Sequence, residues 1–466
     1  MASTTGLFTG EIVNTGHITS ESTSGTTAAI RFVNGVSFQG TLTNGADGVI
    51  HGTQNGLYFG NPVPAGGSDH SGGVVNNHGR ISSDSRALNI DGIGLEVNNF
   101  GKIIGTGDQR NGTIFVDNTA NHFTIYNGED GVVDTGMGNN GSAISISLGV
   151  SDGDERSFEI VNDGSIWGRG DAVNDGASAG LRLYNGAGVD TYVTVDAYIE
   201  NNGTIRSDSS AAILIDDVDF QGILINNGTL TGVNSFNAKT ARSGIYFVQT
   251  GGALNGHFVG SDFDDTLEFR GGNSTLAGNV ANGVSVLVKE DAKLAVSGHR
   301  TLDGYLENSG NLAFKLGSDS LAVTGDVLLA DGSVITIDAS NDSLPIGTAI
   351  NIITNGGNFV NAGTTVNIVD TNFLVDYQVV FGSLSITPTA VALGNVSADA
   401  NINAFGAAIT RAVTANTLSD DVFDALNGAS NAAAFENVAL GLLPSINEGV
   451  TREIYETQNI ADNLVT

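Results

Sequence analysis

Residues Ile223–Gly232 read Ile-Leu-Ile-Asn-Asn-Gly-Thr-Leu-Thr-Gly, and the frame Asn226-x-Gly228-x-Leu230 within them decides the fold. Alternating apolar residues ahead of the asparagines mark a strand with one buried face. Asn-Asn-Gly then offers residues that tolerate positive φ, so a sharp turn into a second short strand is expected. The phrase recurs at Asn14/Gly16/Ile18, Asn77/Gly79/Ile81, Asn99/Gly101/Ile103, Asn162/Gly164/Ile166 and Asn201/Gly203/Ile205. Looser copies without the asparagine stand at Gly48/Ile50 and Gly131/Val133, and a late copy at Asn308/Gly310/Leu312.

A second phrase alternates with the first: a small residue, Ile or Leu, any residue, then another apolar one. Its apolar landmarks are Ile30, Leu57, Leu88, Ile114, Ile144, Leu181, Ile213 and Ile245, spaced by 27, 31, 26, 30, 37, 32 and 32 residues. The Gly-x-Ile landmark from Ile18 to Leu230 steps by 32, 31, 22, 30, 33, 39 and 25. Two separate landmarks sharing a period near 30 are the signature of a repeat architecture.

Each period holds about three short alternating runs separated by Gly, Asn and Asp. Alternation with period two excludes helical solenoids, the leucine-rich frame is missing, and a propeller blade of roughly 40 to 45 residues is too large for the unit. A β-solenoid remains, with one coil per period and a rise of about 4.8 Å per coil. Ile30, Leu57, Leu88 and Ile114 then form inward apolar columns, Ile213, Ile215, Ile225 and Leu230 are expected to be buried, and Asn226 is expected to meet the asparagines of adjacent coils. Loops on one side, notably Gly60–Gly73 and Ala172–Ala179, absorb the variable spacing.

The texture changes near Asp262, where tighter runs begin and the Asn-x-Gly frame fades, and again after Pro388, where it becomes helical. Ile402, Phe405, Ile409 and Val413 share one helical face, as do Phe435, Val438, Ala439 and Leu442. Pro444 ends that helix, and Ser445-Ile446-Asn447-Glu448 is a capping-box signature for another carrying Ile446, Val450, Ile454, Ala461 and Leu464. The expected division is a repeat β-helix over 1–261, further coils and a capping region over 262–390, and an α-helical segment over 391–466.

Lys and Arg number 18 against 50 Asp and Glu, a formal charge of −32. Such a surface repels nucleic-acid phosphates and anionic lipid. The chain has no cysteine, which excludes disulfides, thiolate metal sites and a thiol nucleophile. No apolar run approaches the roughly 20 residues of a spanning helix.

The two halves together resemble a bacterial autotransporter (type V secretion) passenger. The Asn-x-Gly-x-Ile coils look like its stalk, and Asp265-Thr266-Leu267 through Gly278-Asn279-Val280 is similar to phrases common in such stalks. Ala439-Leu440-Gly441-Leu442-Leu443-Pro444-Ser445 leading into Glu453-Ile454-Tyr455 looks like the α-helical linker that precedes a translocator barrel. The resemblance implies an all-β fold, a right-handed parallel β-helix with a C-terminal α-helical segment, and export through the outer membrane to the cell surface. It also implies the protein's own outer-membrane barrel as a partner; that barrel and a secretory signal are the family parts this sequence lacks.

Parallel β-helices also serve carbohydrate-active enzymes, which makes carboxylate clusters the candidates for catalysis. Asp216-Asp217-Val218-Asp219 and Asp262-Phe263-Asp264-Asp265 are the densest, and both read as solvated turns rather than a catalytic pair or a calcium loop. His17, His51, His70, His78, His122, His257 and His299 show no metal-ligand spacing, and His17 reads as an outward residue in register with Arg80, Lys102 and Thr204. Asn341-Asp342-Ser343-Leu344 lacks the leading glycine of an esterase block. Trp167 and the tyrosines could line a sugar-binding face, although packing is the simpler role. No catalytic, cofactor or metal residue is assigned. The resulting expectation is a non-catalytic surface stalk or adhesin that engages a cell surface, a glycan or itself. A carbohydrate-active β-helix enzyme and a phage or virion fibre are the alternatives.

Overall fold

The computed structural model describes residues 6–22, 27–32, 36–60, 72–105, 112–136, 141–148, 156–170, 178–186, 193–340, 345–370, 372–429 and 431–442. Its short strands join one 40-stranded sheet, with a two-strand pair at the N-terminal end. Apart from a terminal hairpin, every pairing is parallel and links a strand to its equivalent in the next coil, as Asn201 with Asn226 and Ile205 with Leu230. The chain forms a right-handed parallel β-helix, the hand that crossovers between parallel strands take.

Three faces make each coil through residue 216. Strands such as Glu96–Asn99 and Phe123–Asn127 form the first, Lys102–Gly105 and Val132–Asp134 the second, and Ile114–Val116 and Ile144–Leu148 the third. Period two sends alternate residues inward. One apolar cluster results, running from Phe32 to Ile386 and crossing residue 262 without a break.

The first face closes with a column of inward amides. Asn14 donates to Asn44 (2.8 Å), Asn44 to Asn77 (2.8 Å), Asn77 to Asn99 (2.7 Å) and Asn99 to Asn127 (2.7 Å). The column continues through Asn162 (2.7 Å), Asn201 (2.7 Å), Asn226 (2.6 Å) and finally Gln249 (2.9 Å). The second N–H of these amides goes to a turn carbonyl, as from Asn44 to Gly48 O and from Asn226 to Gly228 O, both at 3.1 Å. Buried amides therefore stay paired at both ends.

Three details depart from the sequence expectation. Asn226 meets an asparagine on one side only, because Gln249 fills the next rung. Ile225 points outward and is partly exposed, while Leu224 enters the core; an inward Asn226 fixes that parity. Gly16, Gly79, Gly101, Gly164, Gly203 and Gly228 are also not at positive φ. All but Gly16 of the first coil are needed for close approach instead: a Cβ on Gly228 would stand 2.0 Å from the Gly203 carbonyl oxygen.

Beyond Gln249 the equivalent positions are Phe269, Val288, Asn308 and Leu329, so the corner becomes largely apolar and the coil shortens to about 20 residues. Asn308 is fully buried there, and its side-chain oxygen has no partner.

At the C-terminal end Val375–Val380 and Leu384–Ala390 form an antiparallel hairpin, whose second strand runs antiparallel to Ile350–Asn355. The hairpin covers one face of the last coils. Among the described residues, Phe359–Asn361 and Thr365–Val369, on the other two faces, each pair on one side only. Three helices follow: α1 (Ala400–Thr414), α2 (Asp420–Asn427) and α3 (Ala432–Leu442). The Asp399 side chain caps α1 by accepting from Asn401 N at 2.7 Å. Ile402, Ile409, Val413, Leu426, Phe435 and Ala439 join Leu374, Val375 and Leu393 of the hairpin region in a second core, so the helices dock on the end of the β-helix. Leu442 remains 41% exposed. The expected final helix, with Pro444 and the residues from Ser445 to Leu464, lies outside the described residues.

Candidate functional site

The third face differs from the other two because much of its outward side is also buried, although Arg31 is exposed and Tyr58 and Arg182 are half-buried. Its register aligns Arg31, Tyr58, Asn89, Phe115, Ser145, Arg182 and Leu214, one per coil. Asn89 is 4% exposed, Phe115 5%, Ser145 0% and Leu214 7%. Every segment outside the described residues between 23 and 192 immediately precedes or follows a strand of this face in the chain. Most of Gly60–Gly73 and Ala172–Ala179 belongs to those segments.

Guanidinium groups lie over aromatic rings along the column. Arg31 sits 5.3 Å from the Tyr58 ring centre, Arg86 4.3 Å from Phe115, and Arg182 4.4 Å from Tyr184. Carboxylates from neighbouring coils face them. Asp91 and Asp117 follow the paired residues Ile90 and Val116, and so occupy equivalent places one coil apart. Tyr184 is in register with Asp216, which pairs with Arg182 at 2.9 Å.

The electrostatics show these groups converging. Burial first, then the Asp91 carboxylate, pushes the Tyr58 phenol above its ordinary value, with the Asp117 charge acting in the same direction. Burial lowers the Arg86 guanidinium, against the opposing effects of Asp117, Tyr184 and Tyr58. Asn89 Oδ1, Ser145 Oγ and Arg182 Nε are buried without a hydrogen-bond partner. The face thus combines aromatic rings, guanidinium groups, nearby carboxylates and buried atoms without hydrogen-bond partners.

The acidic clusters singled out from sequence lie elsewhere or are engaged. Asp216 accepts from Arg182 and Thr240, and Asp217 pairs with Arg242 of the following coil. Asp219 accepts from Thr194 and Gln221. In the second cluster Asp262 and Asp264 are exposed, whereas Asp265 is buried and accepts from Ile245 N (2.6 Å), Ser261 N (2.5 Å) and Ser261 Oγ (2.9 Å). Its burial raises the carboxyl above its ordinary value against the pull of those bonds.

Among the described residues, no group of three or more His, Cys, Asp and Glu is placed to hold a metal ion. His17 is exposed, in the outward column with Val49, Arg80 and Lys102. His70 and Asn341–Leu344 lie outside the described residues. Trp167 belongs to the second face, with Arg169 at 3.3 Å and Arg206 at 4.5 Å from its ring centre. Sequence reading gathered the tyrosines but not their company. Arg86, Asn89, Asp91, Phe115 and Asp117 sit in the variable outward positions of the repeat, and their only sequence signal is the Ile/Leu landmark beside them.

Compared with known proteins, the chain matches no family model, no curated protein and no solved structure. No helix of the described residues is long and apolar enough to cross a membrane.

Proposed function

We propose that this chain is the rod of a bacterial autotransporter (type V secretion) passenger, displayed at the cell surface as a non-catalytic stalk or adhesin. The observation that carries the reading is the build of the rod. One apolar core extends from Phe32 to Ile386 and ends in an antiparallel hairpin with three short helices packed on it. Repeats stacked this way form a long lateral surface on a core that each coil extends. The cap blunts an edge that would otherwise recruit other strands. The reading is tested by fusing the chain between a secretory signal and an autotransporter barrel. Protease should then remove it from intact cells. Retention inside cells that display a control passenger would overturn the reading.

A carbohydrate-active enzyme is the second reading, favoured by Asp91 and Asp117 at equivalent places on adjacent coils. Strand spacing puts such carboxylates about 5 Å apart at the backbone, near the separation used by retaining glycosidases. Turnover of a polysaccharide that is lost in Asp117→Asn would establish this second reading over the first.

A further inference from the structure

We infer that copies of this chain join end to end, the first coil of one copy docking on the last coil of the next through the first and second faces. The inference goes beyond the passenger reading and does not rest on it.

Both ends of the rod carry unused strand edges. Among the described residues, Glu11–Asn14 and His17–Ser20 pair only with the following coil, and Phe359–Asn361 and Thr365–Val369 only with the preceding one. The core-facing Ile12, Ile18, Phe359 and Val366 are only partly buried, whereas their partners one coil inward, Leu42, Ile50, Val327 and Ile335, are fully so. On the outward side of the first face Val13 is 58% and Val360 49% exposed. The terminal hairpin stands on the third face alone, which leaves the other two edges open.

Register and polarity decide the occupant. Asn361 follows Leu329 in the amide-column position, so Phe359-Val360-Asn361 is the counterpart of Ile12-Val13-Asn14. Along the rod, the residue after this position donates its N–H to the column carbonyl one coil back, as Gly45 to Asn14, Arg270 to Gln249 and Ala362 to Leu329. Thr15 N–H and the Asn361 carbonyl are the two loose ends of that series. His17 N–H and the Thr364 carbonyl are those of the matching series on the second face, which runs from Val49 donating to Gly16 through Thr365 donating to Ser333. The side chains agree: Asn361 Nδ2 donates to nothing among the described residues, and Asn14 Oδ1 accepts only from Gly16 N at 3.2 Å. An incoming first coil would therefore take Asn361 Nδ2 on Asn14 Oδ1, in the direction every rung follows, and set Val13 beside Val360. Joining two like ends would oppose acceptor to acceptor. About ten residues a side is below the roughly 20–30 of a stable interface, so the joint is weak and concentration-dependent.

The test is small-angle scattering and sedimentation of the full chain over a series of rising concentrations. Mass and length should grow together while the cross-section stays that of one rod. Val13→Lys and Val360→Lys, both at exposed positions, should each weaken association about tenfold while the melting temperature stays close to that of the parent. A chain carrying Val13→Lys together with Val360→Asp sets opposite charges across every joint and should regain most of the loss, in a salt-sensitive way. Val233→Lys, on the flank of the rod where the valine is 57% exposed, should associate like the parent. A monomer at every concentration, growth in cross-section in place of length, association unmoved by both end variants, or a paired variant no better than the single ones would overturn the inference. Failure of surface display with end-to-end growth retained would overturn the passenger reading alone.

Discussion

Asn226 donates its side-chain amide to Gln249 Oε1 across 2.9 Å, and with that bond the column of stacked amides ends. The longer glutamine side chain turns its own amide back to the Gly251 carbonyl, so the final N–H is met locally. One coil later Phe269 occupies the place, and the corner is filled by packing.

The amide column should therefore be more sensitive in its middle than at its end. Asn127→Leu orphans the Asn99 donor and the Asn162 acceptor together, at about 2–4 kcal/mol. Gln249→Leu strips the Asn226 donor and the Gly251 carbonyl, whereas Asn127→Leu also removes the donor to Gly131 O, so the end variant should cost less, about two thirds as much. Chemical-denaturation midpoints of the two variants measure the difference. Equal costs would mean that the rungs are not energetically coupled across coils.

The strand parity is open to a paired substitution. Ile213 and Leu224 are 2% and 1% exposed, so Ile213→Asp and Leu224→Asp should each cost more than about 3 kcal/mol as unpaired buried charges. Ile225→Lys places its charge on the outward side and should cost less than about 1 kcal/mol. A severe loss at Ile225 would reverse the register assigned here.

The repeat told the number of faces, the coil period and most inward columns, because burial imposes one residue type on every coil. It missed Asn44 and Asn127, which complete the amide column. Their turns carry two extra residues before Gly48 and Gly131, so the Asn-x-Gly spacing is broken while the geometry is kept. It assigned Ile225 inward because Ile-Leu-Ile is apolar at every position and carries no parity of its own. The third face was out of reach, since contacts such as Arg86 over Phe115 arise only from stacking residues far apart in the chain.

Glycine tolerance should follow backbone approach rather than dihedral preference. Gly228→Ala drives a methyl into the Gly203 carbonyl, and backbone on both sides leaves little room to yield, so about 3 kcal/mol or more should be lost. Gly271 sits at φ 66° with nothing within 4 Å of an added Cβ. Gly271→Ala should therefore cost only the left-handed strain, about 1 kcal/mol. Thermal unfolding of both variants decides the order.

Asp265 makes a pH prediction. Its folded value is raised by burial, so between the ordinary value of 3.8 and the raised one the folded state holds more protons than the unfolded chain. The group's contribution to stability is fully present below 3.8 and is lost as pH rises through the folded value. Asp265→Asn should flatten this dependence. Melting temperatures measured from about pH 3.5 to pH 6.5 should fall less with rising pH in the variant than in the parent, and parallel curves would refute the assignment.

The stacked amides also give the rod a direction. Backbone dipoles in a sheet nearly cancel. The side-chain amides from Asn14 to Asn226 all donate toward the later coil, so their dipoles add, with the negative end at Asn14 and the positive end toward Gln249. Mutual polarisation along such a chain strengthens each member. The first half of the rod is thus an axial dipole set in an acidic body. Two such rods lying side by side lower their energy by pointing in opposite directions, so lateral association would favour antiparallel pairs.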